Sequence, residues 1–140
     1  MSPRQWLAGT ALAGLTIVAI GVGRGVAETS VHTIEIDIHY SHYTPAVVRV
    51  PAGVPIRFVI VNTDPIDHEW IVGDAAVHQR HRTGTEAKHG SRPTEVSIAA
   101  GQRVETIITF ASPETLHYIC HLPGHEAYGM VGTLIVTAGR

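Results

Sequence analysis

A chain of 140 residues, 44% hydrophobic and 16% charged, is the size of one domain and far too apolar to stay disordered. Ten basic against twelve acidic residues leave a formal charge of −2. With no basic stripe to neutralise phosphates, a nucleic-acid binder is excluded.

The first segment reads as a targeting sequence. Arg4 supplies a positive start, Leu7 to Val22 is an uncharged run of apolar and small residues, and Gly25-Val26-Ala27 offers a cleavage point before Glu28. The run is shorter than most membrane spans, which favours a signal peptide over residues 1–27, with an uncleaved N-terminal anchor as the alternative. No twin-arginine pair and no early Cys support other export or lipidation routes. Residues 28–140 then form one domain in an extracytoplasmic space, the periplasm or the outer face of the cell membrane.

From there the pattern is β. Ile34-Glu35-Ile36-Asp37-Ile38 alternates apolar and charged residues, the period of a half-buried strand. Val47–Val50 is a second strand, ended by the turn Pro51-Ala52-Gly53. Ile56–Val61 is a β-branched run that could be buried on both faces, and Trp70–Val72 follows the turn-prone Asn62-Thr63-Asp64-Pro65. Residues 75–88 are an excursion holding at most a short helix. Thr94–Ile98, Val104–Phe110, Leu116–Cys120 and Val131–Thr137 complete about eight short strands, the signature of an all-β sandwich or barrel.

The chemistry is concentrated in residues 120–130, Cys-His-Leu-Pro-Gly-His-Glu-Ala-Tyr-Gly-Met. Cys120 is the sole Cys of a chain read as exported, where an unprotected thiol is a liability. Met130 is the one Met besides the initiator, and His125 lies midway between the two sulfur residues. Taken singly, a small buried thiol, a solvated loop His and a core Met are the ordinary readings. Their conjunction in one loop points instead to a metal. Thiolate and imidazole select copper or zinc, and two His with one Cys and a weak axial Met is the blue-copper set. The fourth donor must come from elsewhere, and His68, opening the run His68-Glu69-Trp70-Ile71-Val72, is the best candidate.

With these residues assembled, the chain resembles the cupredoxins, whose first copper histidine follows an Asn-containing turn and whose other ligands share one late loop. The C-x4-H-x4-M spacing and the Cys-x-x-Pro-Gly-His run are similar to those of rusticyanin and auracyanin more than of plastocyanin. Tyr43-Thr44-Pro45 and Val50-Pro51-Ala52-Gly53 resemble the family's early turn, so the resemblance spans residues 32–137. It implies a Greek-key β-sandwich holding one copper ion, Cu(I)/Cu(II), with His68, Cys120 and His125 in plane and Met130 axial. It also suggests that Asn62 ties the two ligand loops together, although Asn62 is equally an ordinary turn residue. Tyr118, of the same strand parity as Cys120, should pack inward beneath the site.

The remaining histidines are less determined. His121 could ligate only in a different geometry, and the family pattern skips it. His39 and His42 flank Tyr40-Ser41, while His78, His81 and His89 fall in the excursion, where His78 and His81 share a face if the segment is helical. A second, weaker copper or zinc site is conceivable there, and solvated loop histidines are the simpler reading.

No catalytic motif accompanies the metal set, so no enzyme is expected. Multicopper enzymes need further domains, and a thiolate-bridged dinuclear centre needs a second Cys. The expected function is a small monomeric electron carrier that meets redox partner proteins through the surface around His125, including Leu122, Pro123 and Tyr128. The alternative is a copper-handling protein for tolerance, storage or delivery that uses the same site.

Overall fold

A computed structural model describes residues 31–139, so the targeting segment and its cleavage point lie outside the described residues. The strands are β1 (His32–His39), β2 (His42–Thr44), β3 (Val47–Pro51), β4 (Pro55–Asn62), β5 (His68–Gly73), β6 (Glu95–Ile98), β7 (Arg103–Thr109), β8 (Glu114–Ile119) and β9 (Val131–Thr137). Two short helices, α1 (Ala75–Arg82) and α2 (His125–Tyr128), interrupt them.

The strands form two sheets, ordered β2-β1-β4-β7 and β3-β9-β8-β5-β6. β1 runs parallel to β4 and β3 parallel to β9, while every other pair is antiparallel. Alternation sets the inner faces: Ile36 and Ile38 of β1 are buried while Glu35 and Asp37 are not. Phe58, Trp70, Tyr118 and Leu134 fill the space between the sheets. Phe58 and Trp70 pack with ring centroids 5.0 Å apart.

The structure has one strand more than expected. β2 is short and follows β1 through Tyr40 and Ser41, both in the left-handed region at φ 50° and 56°. Neither residue is Gly, Asn or Asp, so the sequence carries no signal for this turn. α1 replaces much of the excursion. Asp74 caps it by accepting from the Val77 N–H at 2.9 Å. Among the described residues no helix is long and apolar enough to cross a membrane.

Candidate metal centre

Strand pairing brings the candidate donors to one end of the sandwich. β5 is antiparallel to β8, so His68 at the start of β5 lies beside Cys120 just past the end of β8. Across the β8–β9 hairpin, Ile119 pairs with Val131, and the Cys120 N–H donates to the Met130 carbonyl at 3.2 Å. The loop between them holds α2 between two glycines. Gly124 and Gly129 sit at φ 86° and 103°, and the Met130 N–H reaches back to the His125 carbonyl at 3.0 Å. Left-handed glycines at both ends turn the chain sharply enough to bring His125 back over Cys120.

The result is a triangle of donor atoms. His68 Nδ1 and His125 Nδ1 are 3.2 Å apart, and Cys120 Sγ is 3.3 Å from His125 Nδ1. These three residues form a group whose ligand atoms lie within 4.8 Å of one another. Met130 is fully buried next to them. A Cys and two His with converging donor atoms, and a Met buried beside them, fit a type 1 copper site. Burial pushes the Cys120 thiol up to about 11, with the Glu69 and Leu122 N–H groups opposing it.

The groups around the triangle fix its orientation. His68 Nε2 faces Asp64 Oδ2 at 2.9 Å. The hydrogen bond places the proton on Nε2 and leaves Nδ1 as the donor. Asp64 is itself held by the N–H groups of Tyr40 and Ser41 at 2.7 and 2.8 Å. Burial raises the Asp64 pKa, but those two N–H groups and His68 outweigh it, so the carboxyl titrates below its usual value. The Glu69 N–H donates to Cys120 Sγ at 3.3 Å. Neither Asp64 nor Glu69 stands out in the sequence. The one signal available was the acidic residue four places before His68 in a turn.

Asn62 requires a correction. Its side chain donates to the carbonyls of Ile66, Ile98 and Ala99 at 2.8, 3.2 and 3.1 Å and accepts from the Asp64 N–H. It ties the His68 loop to the β6–β7 turn rather than to the 120–130 loop, because β6 is the strand beside β5. Tyr118 does pack inward, fully buried, and donates to the Pro45 carbonyl at 2.6 Å.

Residues 30–137 match the family described as copper binding proteins, plastocyanin/azurin family. The chain belongs to that family. Among relatives of this cupredoxin, the copper-resistant cuproprotein CopI of Pseudomonas aeruginosa is 29% identical over 84% of this chain and 82% of that protein. The protein of the same name from Rubrivivax gelatinosus is 33% identical over 67% of this chain and 59% of its own length. Auracyanin-B of Chloroflexus aurantiacus is 30% identical over 91% of this chain and 62% of that protein. The solved auracyanin B structure superposes with a TM-score of 0.63 at 26% identity, covering 80% of this chain and 93% of that one.

The other histidines fall apart into two sets. His39 and His42 lie at the surface, bonded to Thr63 Oγ1 and the Tyr40 carbonyl, and belong to no donor group among the described residues. The excursion histidines are not solvated, as the simpler reading held: His78, His81 and His89 are all buried. His78 Nε2 donates to the Gly73 and His117 carbonyls, and its Nδ1 lies 2.9 Å from His121 Nε2. Burial lowers the His121 pKa to about 4, with His78 adding to the effect and Glu126 opposing it. The His121 ring is thus occupied by His78 and Glu126 and lies outside the donor triangle.

Proposed function

We propose that this cupredoxin is an extracytoplasmic one-electron carrier in which His68, Cys120, His125 and Met130 would hold the copper. The observation that carries the reading is the donor triangle buried beneath one solvent-reaching imidazole, that of His125. Bound copper would supply the Cu(II)/Cu(I) couple. The protein's part is to hold the donors still: Asp64 orients His68, the Glu69 N–H supports the thiolate, and the two loop glycines fix His125. Donors fixed by main-chain bonds leave little to rearrange when the charge changes.

His125 opens onto a shallow cleft lined with Tyr40, Pro65, Ile66, Pro123 and Tyr128. Tyr40, Ile66 and Tyr128 are exposed, an apolar rim suited to brief, small-area encounters with redox proteins. A signal peptide at residues 1–27 would put the domain outside the cytoplasm.

The test is the visible spectrum of the Cu(II)-loaded chain beside that of Cys120→Ser. An intense thiolate-to-copper band, absent in the variant, is expected; a colourless wild type would sink the ligand assignment. Ile66→Glu should then slow electron exchange with a soluble cytochrome while leaving the midpoint potential in place. Copper handling is the second reading, supported by the copper-resistance names of two of the relatives described above. Copper sensitivity on gene deletion, with electron flux intact, would favour it.

A further inference from the structure

We propose that His81, His89 and Glu95 form a second metal site, for a borderline divalent cation such as Zn(II) or Cu(II). It is separate from the Cys120 centre and does not depend on what that centre is used for.

Three elements converge here. His81 lies in the last turn of α1, His89 belongs to the connection that follows, and Glu95 opens β6. The side chains are 2%, 2% and 6% exposed. His89 is clamped to β6 from both sides: its N–H donates to Ser97 Oγ at 2.9 Å, and its carbonyl accepts from the Ser97 N–H at 3.2 Å.

The ring nitrogens are sorted by their hydrogen bonds. His81 Nδ1 donates to the Val77 carbonyl at 2.8 Å, which leaves the lone pair on Nε2. His89 Nε2 faces two oxygens, Thr85 Oγ1 at 3.4 Å and the Glu69 carboxylate Oε1 at 3.5 Å, which together hold the proton on that nitrogen and leave the lone pair on Nδ1. Those two free nitrogens, His81 Nε2 and His89 Nδ1, are buried with no hydrogen-bond partner. Native interiors rarely leave such atoms unsatisfied, and a bound ion is one of the standard reasons for an exception.

Both nitrogens aim at one oxygen. Glu95 Oε2 is 3.7 Å from His81 Nε2 and 3.8 Å from His89 Nδ1. These separations are too long for hydrogen bonds. They lie close to the ~3.4 Å edge of a tetrahedron whose metal–ligand bonds are about 2.0–2.2 Å. The other Glu95 oxygen is held by Arg92 Nη1 at 3.2 Å, which orients the carboxylate. Glu86, half exposed and 3.3 Å from His89 Nδ1, stands at the mouth of a cleft that reaches His81 and His89. It offers a fourth ligand or leaves that position to water. Two imidazoles with carboxylate oxygen suit zinc or copper(II) and are a poor set for Mg(II) or Ca(II).

The competing arrangement is a protonated imidazole paired with Glu95 and no metal. Zn(II) titrated into the full chain, its Cys120 centre already filled with copper, separates the two. Calorimetry with metal analysis after desalting should find one zinc per chain retained beside an unchanged visible band. His81→Ala/His89→Ala and Glu95→Gln should weaken that zinc by more than the ~100-fold that loss of an outer partner costs, again with the band intact as a reporter of folding. Absence of retained zinc, or retention unaffected by the variants, overturns the proposal. Should the double variant fail to fold, zinc-edge X-ray absorption of the wild type decides. A shell of nitrogen and oxygen with imidazole scattering is expected, and a sulfur neighbour would overturn the site.

Discussion

At the scale of single residues, Asp64 does more than its place in a turn suggests. Its carboxylate accepts from two N–H groups of the β1–β2 turn while holding His68 Nε2. It therefore ties the left-handed turn at Tyr40 and Ser41 to the candidate ligand. Asp64→Asn keeps the shape but removes the charge that sets the His68 tautomer. Copper affinity should fall about 10–100-fold, the usual effect of losing such a partner, as measured by competition with a chromophoric chelator. Cys120, His125 and Met130 were legible in the sequence because they share one loop and the chain has no other sulfur residue after the initiator. Asp64 and Glu69 were not, because what they touch is supplied by residues 24 and 51 places away.

At the scale of elements, the β8–β9 hairpin holds the donor loop. Its tightest point is Gly132, directly across from Tyr118. A Cβ on Gly132 would fall 2.0 Å from the Tyr118 ring, which is fully buried and anchored through its hydroxyl to Pro45. Neither side can give way easily. Gly132→Ala should destabilise the fold by about 1–3 kcal/mol or more, read as a lower urea midpoint at unchanged slope. The strands with clear alternation were predictable. β2 was not, since three residues with one inward side chain carry too little pattern.

At the scale of the whole molecule, burial of His78 in α1 links stability to pH. Burial lowers the His78 pKa, the carbonyls of His117 and Gly73 oppose this, and the charges of Arg82 and His117 lower it further. His121 is the remaining titratable group on the ring. Because the folded value lies below the unfolded one, near 6.5, the unfolded chain binds more protons in acid. This contribution is complete above the unfolded pKa and is lost as pH falls toward the folded one. The melting temperature of the metal-free chain should therefore drop below about pH 6.5, and His78→Asn should flatten that decline.

By itself the sequence determined the β architecture and the membership of the 120–130 loop in a metal site, because both rest on local pattern and on residue types that are rare in this chain. It left His68 to position and likeness, and misplaced the role of Asn62. Tertiary structure decided which carboxylates stand behind the imidazoles and which histidines are buried. It alone joined His81, His89 and Glu95, since the positions of a helix end, a connecting loop and a strand start depend on how the sheet packs, not on their spacing along the chain.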